Sequence, residues 1–241
     1  MLFSLYVLRF PTVDFSKFER RCGVSFQNKN LLKQAFTHRS YLNENRRAGL
    51  LHNERLEFLG DAVLELIVTE ELFRRYPERN EGEMTSYRSA LVNTNTLSEV
   101  AGKLGMNDHL LLSRGEARDS GRARQVILAN TFEAVVGAIF LDQGYAAAVD
   151  FIKGHLFPLL PKIVETGKWA DAKSLFQEKA QDLVGVTPSY RTLKEEGPDH
   201  DKQFTVGVYL GYEKVADGVG KSKQEAEQEA AKLALEARGW S

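Results

Sequence analysis

Cysteine is almost absent from the sequence, because Cys22 is the only one among 241 residues. A single thiol excludes an internal disulfide and a zinc site built from cysteines. The same scarcity is typical of proteins in a reducing compartment, and we expect a cytoplasmic protein. Cys22 itself is interpreted as a small buried hydrophobic residue.

A large excess of charge of one sign is also missing. The chain has 32 Lys and Arg against 33 Asp and Glu, and its formal net charge is -1. Bulk electrostatics therefore gives no indication of a nucleic-acid partner, and any basic surface has to be local. With 43% apolar residues the chain can bury a full core, and its length favours one large domain plus a small one.

Long hydrophobic runs are lacking as well. The apolar opening from Met1 to Phe10 contains Arg9 and is followed by Pro11, and it has neither the basic leader nor the small-residue cleavage site of a signal peptide. No later run approaches the length that a membrane-spanning helix needs. We therefore expect no membrane association.

The chain from Asp14 to about Val164 has apolar residues at helical spacing, and almost no stretch alternates for long enough to form a strand. This part is predicted to be all-α, with glycine and proline at the stops between helices. The predicted helices are Phe15 to Cys22, Asn30 to Phe36, Asn53 to Tyr76, Glu81 to Leu104, Arg124 to Leu141 and Ala146 to Phe157.

A linker is predicted between Pro158 and Lys168, where apolar anchors are few. Asp171 can then cap a helix, which is followed by three strand-like runs and a last helix, so that the order α-β-β-β-α forms a small α+β module. The inner face of its first helix is expected to be Phe176, Ala180, Leu183 and Val184. The strands are expected at Ser189 to Leu193, Gln203 to Leu210 and Glu213 to Asp217, and the last helix at Lys223 to Ala237.

The stretch ERLEFLGDA, from Glu54 to Ala62, sets carboxylates on one face of a predicted helix. At about 100° per residue, the acidic side chains share a narrow arc and the apolar ones gather opposite. The arc consists of Glu54, Glu57, Asp61 and Glu65, and the apolar side of Leu56, Leu59, Val63, Leu66 and Ile67. Phe58 and Leu64 border the arc, so part of it is expected in a cleft, where like charges need a counter-ion such as a divalent metal.

A second helix, predicted within Val126 to Leu141, is apolar on nearly every side. Its only polar side chains are Asn130, Thr131 and Glu133. An isolated ionised Glu133 would be costly there, so a metal or a basic partner is expected. If the two helices pack together, four of their side chains can form an oxygen-rich pocket that suits Mg²⁺ or Mn²⁺ and supports phosphodiester hydrolysis. That pocket would consist of Glu57, Asp61, Asn130 and Glu133. Helix geometry alone leaves a solvated acidic face and an arginine-paired Glu133 as alternatives.

These blocks resemble the ribonuclease III family, of which ERLEFLGDA is the signature. The resemblance continues in Thr37 to Tyr41, in Glu81 to Glu83 with Arg88, Leu91 and Val92, and in Asn130 to Ala134. It covers essentially the whole chain from Asp14, and a long signature with a matching second block is specific. The implied division is an all-α catalytic domain at 14–165, a linker at 166–170 and a double-stranded-RNA-binding domain at 171–239.

The resemblance implies a magnesium-dependent endonuclease that cuts both strands of duplex RNA and leaves 5′-phosphate and 3′-hydroxyl ends with short 3′ overhangs. Manganese can replace magnesium, and no small-molecule cofactor is expected. It also implies a homodimer that holds the duplex in a valley and processes ribosomal RNA precursors and other structured RNAs. By position, the catalytic residues would be Glu57, Asp61 and Glu133, which with Asn130 would be the metal ligands. Glu83 resembles a further acidic residue near the valley.

Asn130 departs from the family pattern, since many members carry aspartate there. The amide keeps an oxygen donor but lacks a negative charge, so weaker metal affinity is expected. We predict an active enzyme, because the other three carboxylates are intact. The alternatives are a catalytically impaired protein that binds double-stranded RNA without cutting it, and a purely structural helical scaffold.

The C-terminal module resembles a double-stranded-RNA-binding domain, which reads A-form shape across two minor grooves and the phosphates between them. Gly197 to His200 matches a loop that enters a minor groove, and Gly218 to Ala231 matches the lysine-bearing helix, where Ser222 and Glu225 are predicted to form a capping box. By position, the RNA-binding residues are Gln177, Glu178, Pro198, His200, Lys221, Ser222 and Lys223. Residues 168 to 241 hold eleven Lys or Arg against thirteen Asp or Glu, so affinity has to come from this local patch.

A loop rich in arginine and glycine precedes the helix that carries Asn130. Its arginines are Arg114, Arg118, Arg122 and Arg124. Because the loop leads into a predicted active-site helix, we interpret these side chains as further contacts to duplex phosphates, with a solvated loop as the alternative.

Overall fold

The structure is a computed structural model that describes residues 14–166, 172–198 and 202–240. The chain divides into two compact units between Thr166 and Gly167. The predictions for Met1 to Phe10, for Asp171, for His200 and for the linker at 167–170 lie outside the described residues.

The described part of the first unit is built from α-helices. They are α1 (Ser16–Cys22), α2 (Lys29–Ala35), α3 (Arg39–Glu44), α4 (Glu54–Arg75), α5 (Glu81–Val92), α6 (Thr94–Lys103), α7 (Arg122–His155) and α8 (Leu160–Thr166). Single 3-10 turns lie at Met106–His109, Glu116–Arg118 and Phe157–Leu159. The prediction of an all-α first domain is confirmed.

The centre of this unit is α7, which packs most extensively against α4 and also contacts α6 and α2. Its apolar sequence explains this position, because burial of such a surface is the main favourable term in folding. The buried side chains include Ile127, Phe132, Val135, Val136, Ile139, Phe151 and Ile152. The helix kinks at Gly144, whose φ of 83° favours glycine. The gap predicted between Leu141 and Ala146 is this kink, so one interrupted helix replaces the two predicted ones.

Two other predicted boundaries are wrong. The helix predicted from Glu81 to Leu104 is broken at Asn93, whose side chain accepts a hydrogen bond from the Thr96 amide at 2.9 Å and so caps α6. The linker predicted from Pro158 to Lys168 is instead helical up to Thr166, where α8 ends. Burial of Phe157 and Leu160 holds this segment on the unit, although few of its residues are apolar.

The helical stretch Arg122–Glu165 is long and apolar enough, by length and composition alone, to cross a membrane, with a mean hydropathy of 1.4 over 18 residues. The prediction that no run reaches this length is therefore wrong. Packing against α4 and α6 accounts for the apolar character of the stretch without a membrane.

The second unit has the predicted order α-β-β-β-α, which is confirmed. It contains α9 (Ala172–Val184), β1 (Pro188–Glu196), β2 (Gln203–Leu210), β3 (Glu213–Gly220) and α10 (Lys223–Arg238). The sheet is antiparallel with the order β1-β2-β3. Its apolar face packs with both helices, and the core contains Ala172, Phe176, Val208, Ala230, Ala231, Ala234 and Leu235.

Two local predictions for this unit need correction. Leu183 and Val184 are exposed, so the inner face of α9 is limited to its earlier turns with Phe176 and Ala180. At the start of α10 the Ser222 hydroxyl accepts the Glu225 amide at 3.1 Å, as predicted. The Glu225 carboxylate, however, accepts the amide of Lys221 at 2.7 Å, one residue before the position that a capping box uses.

Candidate active site

The helices α4 and α7 touch through their backbones at two glycines. A Cβ atom on Gly60 would lie 1.7 Å from the carbonyl oxygen of Glu133, and a Cβ atom on Gly137 would lie 2.3 Å from the carbonyl oxygen of Leu56. Any larger residue would therefore force the helices apart. Neither glycine was predicted as a site residue; the available signal was that glycine inside a helical pattern is unfavourable and so calls for a packing reason.

This contact brings the predicted acidic residues of the two helices together. Glu133 on α7 is partly buried and is close enough to α4 to feel the charges of Asp61 and Glu57. Burial, reinforced by the charges of Asp61, Glu57 and Glu65, raises the pKa of Glu133 to about 8. The carboxylates of Glu133 and of Asp61 and Glu57 on α4 are thus close enough for their charges to interact, and we call these three residues the acidic cluster.

Glu57 belongs to the same cluster. Burial raises the pKa of Glu57, and the charges of Glu54 and Asp61 act in the same direction. Hydrogen bonding with the Asn130 side chain opposes this rise. An amide at position 130 can donate to Glu57, whereas an aspartate there would add a further negative charge.

The side chains of the cluster fit a hard divalent cation by their chemistry, since every donor is an oxygen. Among the described residues, the ion pairs to Lys or Arg include neither Glu57 nor Asp61 nor Glu133. The alternative of an arginine-paired Glu133 is therefore not found in the part of the chain that the structure describes. The described part of the chain contains no group of three or more His, Cys, Asp or Glu already arranged to hold a metal. A divalent cation at this site would therefore need Glu57, Asp61 and Glu133 to converge more closely than they do without it.

The flanks of the acidic arc differ from the prediction. Phe58 is 82% exposed and so does not wall a cleft within this unit, whereas Leu64 is fully buried. Leu66, on the apolar side opposite the arc, is 57% exposed. Glu54 pairs with Arg39 at 3.4 Å and lies 3.6 Å from the Nδ1 of His52, so its charge is partly compensated.

Glu83 has a structural role in this unit. Its carboxylate accepts the amide of Asn80 at 3.1 Å while the Asn80 side chain accepts the Glu83 amide, which forms the capping box of α5. Glu83 also pairs with Arg79 at 2.8 Å. The capping box and the ion pair are sufficient to explain why an acidic residue stands at position 83, and no bound metal or RNA is needed for that explanation.

The arginine-rich loop is fixed along α3. The Ser113 amide donates to the Ser40 hydroxyl at 3.1 Å, and the Arg114 amide donates to the Glu44 carboxylate at 3.2 Å. Arg122 and Arg124, predicted in the loop, instead belong to the first turn of α7. The Arg124 guanidinium donates to Asn107 and to the carbonyl oxygen of Glu116. The side chains of Arg114, Arg118 and Arg122 are exposed and remain candidates for RNA contact.

In the second unit the predicted RNA-binding residues are on the surface wherever they are described. The exposed ones are Gln177, Glu178, Pro198, Lys221, Ser222 and Lys223. Gln177 and Glu178 lie on α9, Pro198 follows β1, and the two lysines flank the N-cap of α10.

Comparison with known proteins agrees with both units. A family model described as Ribonuclease-III-like matches residues 28–160, and one described as Double-stranded RNA binding motif matches residues 172–237. The class is therefore an endoribonuclease domain followed by a double-stranded-RNA-binding domain. Ribonuclease 3 of Borreliella burgdorferi is 44% identical over 224 residues, which is 93% of this chain and 91% of that protein. The chain belongs to the ribonuclease III family, and the resemblance found in its sequence is confirmed.

Further relatives support this assignment. Ribonuclease 3 of Anoxybacillus flavithermus is 47% identical over 229 residues, which is 93% of this chain and 94% of the relative. The solved nuclease domain of ribonuclease III from Campylobacter jejuni is 36% identical, covers 61% of this chain and 99% of its own, and has a TM-score of 0.56. That structure is described as showing flexibility in a region involved in dimer formation. The prediction of an endoribonuclease is confirmed.

Proposed function

We propose that the protein is a magnesium-dependent endoribonuclease that hydrolyses both strands of duplex RNA to 5′-phosphate and 3′-hydroxyl ends, with manganese as a possible substitute for magnesium. Its expected substrates are ribosomal RNA precursors and other structured RNAs. The observation that carries the proposal is the cluster of Glu57, Asp61 and Glu133, which stands without a basic partner among the described residues. Partly buried carboxyl groups with raised pKa values, here Glu57 and Glu133, are typical of metal and catalytic sites.

The residues of the cluster would have different roles in binding the metal. Asp61 and Glu133 would ligate magnesium directly, and Glu57 and Asn130 would complete the oxygen shell. A bound magnesium ion would activate water and offset the charge that develops on the phosphate. The partial burial of Glu133 limits solvent at the site, which strengthens each of these charge interactions.

The test is incubation of the full chain with a long RNA duplex, with and without magnesium. We expect short products with 5′-phosphate ends in magnesium and uncut RNA in EDTA. Asn130 gives one specific reason to keep a second candidate, a protein that binds the duplex without cutting it. Binding without cleavage in the wild-type chain, with cleavage restored by Asn130→Asp, would establish that second candidate.

If the wild-type enzyme is active, Asn130→Asp is expected to lower the magnesium concentration needed for half-maximal cleavage about threefold to tenfold. The reason is that the new carboxylate on α7 gives the metal a charged oxygen donor in place of a neutral amide. The same change should lower the melting temperature in EDTA, since the new charge faces Glu57 and Glu133. Magnesium titration of initial cleavage rates and thermal melts in EDTA measure the two effects. Equal magnesium dependence in both proteins would show that position 130 is not a ligand.

A homodimer is part of the proposal, and the exposed face of α4 supports it. Phe58, Leu66 and Phe73 are 82%, 57% and 73% exposed, and with Ala62 they lie along one side of the helix. A contiguous apolar stripe of this kind marks an interface more often than a solvated surface. The nuclease domain of the Campylobacter relative is described as having a region involved in dimer formation, which supports a dimer without locating its interface.

Phe58→Asp is expected to convert the protein to a monomer at micromolar concentration, because a buried carboxylate without a partner is costly at an interface. Analytical ultracentrifugation measures the mass. Leu183→Asp is the matched control, since Leu183 is also an exposed apolar residue but lies in the second unit. A dimer that persists in Phe58→Asp would place the interface elsewhere.

A further inference from the structure

A carboxylate in the second unit holds one of the lysines proposed to bind RNA. Glu195, near the end of β1, accepts a hydrogen bond from the ammonium of Lys223 at 2.7 Å. The other oxygen of Glu195 lies 3.9 Å from the ammonium of Lys202. The Glu195 carboxylate is therefore shared between the ammonium groups of Lys202 and Lys223.

Lys223 is held in place by more than this ion pair. It is the first residue of α10, directly after the N-cap Ser222, and its ammonium lies 5.6 Å from the ring centre of Phe204. An anion is favoured at such a helix N-terminus. In this structure the anion beside the Lys223 ammonium is the Glu195 carboxylate.

The consequence for binding is electrostatic. A phosphate that approaches Lys223 has to share the ammonium with Glu195 or displace it, and the displaced carboxylate then stands beside a like charge. Both groups are partly exposed, at 56% for the Lys223 side chain and 37% for that of Glu195, so the exchange needs no rearrangement of the core. Glu196 is different, because it pairs with Lys194 on its own strand at 2.7 Å.

We propose that Glu195 is an intramolecular competitor of RNA phosphate for Lys223, and that it sets the strength and the salt dependence of duplex binding. This inference rests on the proposed function, in which Lys223 contacts the duplex. Glu195 weakens the contact between Lys223 and an RNA phosphate because it competes for the same ammonium group. It thereby makes stable binding depend on the remaining contacts, which only a duplex of the right shape offers together.

The experiment compares full-length variants for binding to a labelled RNA duplex in EDTA, where no cleavage is expected. Glu195→Gln should bind about fivefold more tightly at low salt, which corresponds to the interaction of unit charges about 4 Å apart in water. The slope of the logarithm of affinity against the logarithm of salt concentration should steepen by about one. Glu196→Gln is the matched control, because it makes the same change of charge on the next residue, and it should change affinity less than about twofold.

A second comparison tests whether Glu195 acts through Lys223. In a Lys223→Gln background, Glu195→Gln should have little further effect. A gain in that background equal to the gain in the wild-type background would overturn the proposal. So would unchanged or weaker binding by Glu195→Gln alone, and weaker binding would show that Glu195 orients Lys223. If the wild-type chain did not bind the duplex, the proposed function would fail together with this inference.

Discussion

Replacing Gly60 with alanine is expected to destabilise the nuclease unit by about 3 kcal/mol or more and to abolish RNA cleavage. An alanine in a helix normally stabilises it relative to glycine by about 1 kcal/mol. Here the added Cβ would lie 1.7 Å from the backbone oxygen of Glu133, which belongs to a rigid helix and not to a flexible side chain. The clash can only be relieved by separating α4 from α7.

Separation of these helices damages the site as well as the core. Gly60 lies between Glu57 and Asp61 on α4, and its contact is with the backbone of Glu133 itself. A displacement of the order of one ångström is enough to reduce catalysis strongly when reacting groups must be held in place. Gly137→Ala should have a similar effect, because its Cβ would meet the Leu56 carbonyl oxygen at 2.3 Å.

Urea unfolding and cleavage rates on a long duplex measure the two consequences. Gly154→Ala is the matched control, since Gly154 is also in α7 but a Cβ there would meet nothing within 4 Å. That variant should be unchanged or slightly more stable and fully active. Wild-type stability in Gly60→Ala would mean that the close approach of the helices is not needed for this fold.

The glycine contact shows what the sequence can and cannot predict. Helical periodicity correctly indicated α4 and α7 and put Glu57, Asp61 and Glu133 on faces that could meet. Periodicity identifies which side of a helix is acidic or apolar, but it contains no information on how closely two backbones approach. That distance depends on residues in two distant segments, Gly60 and Gly137, and neither has a side chain that contributes to an amphipathic pattern.

The exposed side of α4 was mispredicted for a related reason. The sequence pattern puts Phe58 at the border of the acidic arc in an expected cleft and Leu66 on the apolar side, yet both are exposed in the single chain. An apolar residue that faces another subunit has the same local pattern as one that faces the core. Only the packed structure separates the two cases.

Helix boundaries were predicted poorly where short polar signals determine them. Asn93 breaks the segment from Glu81 to Leu104, because its side chain caps α6 and its backbone is extended with ψ of 160°. The sequence around it is otherwise compatible with a continuous helix. Asparagine is unfavourable inside helices and favoured at N-caps, so Asn93 is a signal for this break that the apolar spacing of the segment obscures.

Glu133→Gln is expected to reduce cleavage by about 10²- to 10³-fold or more while it stabilises the protein in the absence of metal. Cleavage falls because a neutral amide replaces a charged ligand in the oxygen shell. Stability rises because folding no longer has to protonate this carboxyl group or bury its charge beside Asp61 and Glu57. The two effects have opposite signs, and a purely structural role for Glu133 gives no reason for the loss of cleavage.

The pH dependence follows from the raised pKa of Glu133. Folding raises this pKa from an ordinary value of 4.5 to about 8, so the folded state binds the proton more tightly than the unfolded state does. The stability that this proton provides is fully present below about pH 4.5 and is lost as the pH rises towards 8. In EDTA the wild-type protein should therefore lose stability over this range relative to Glu133→Gln, by about 1–3 kcal/mol after allowance for partial solvation of the side chain.

Magnesium provides the decisive comparison. A cation held by Glu133, Asp61 and Glu57 replaces the proton as the neutralising charge, so magnesium should raise the melting temperature of the wild-type protein at pH 8 and have much less effect on Glu133→Gln. Calorimetric melts in EDTA and in magnesium at pH 5 and pH 8, together with cleavage rates, separate the possibilities. If magnesium stabilised both proteins equally, or if Glu133→Gln cleaved at the wild-type rate, the metal would have to bind away from the contact of α4 with α7. The strain on Glu133 would then have no part in catalysis.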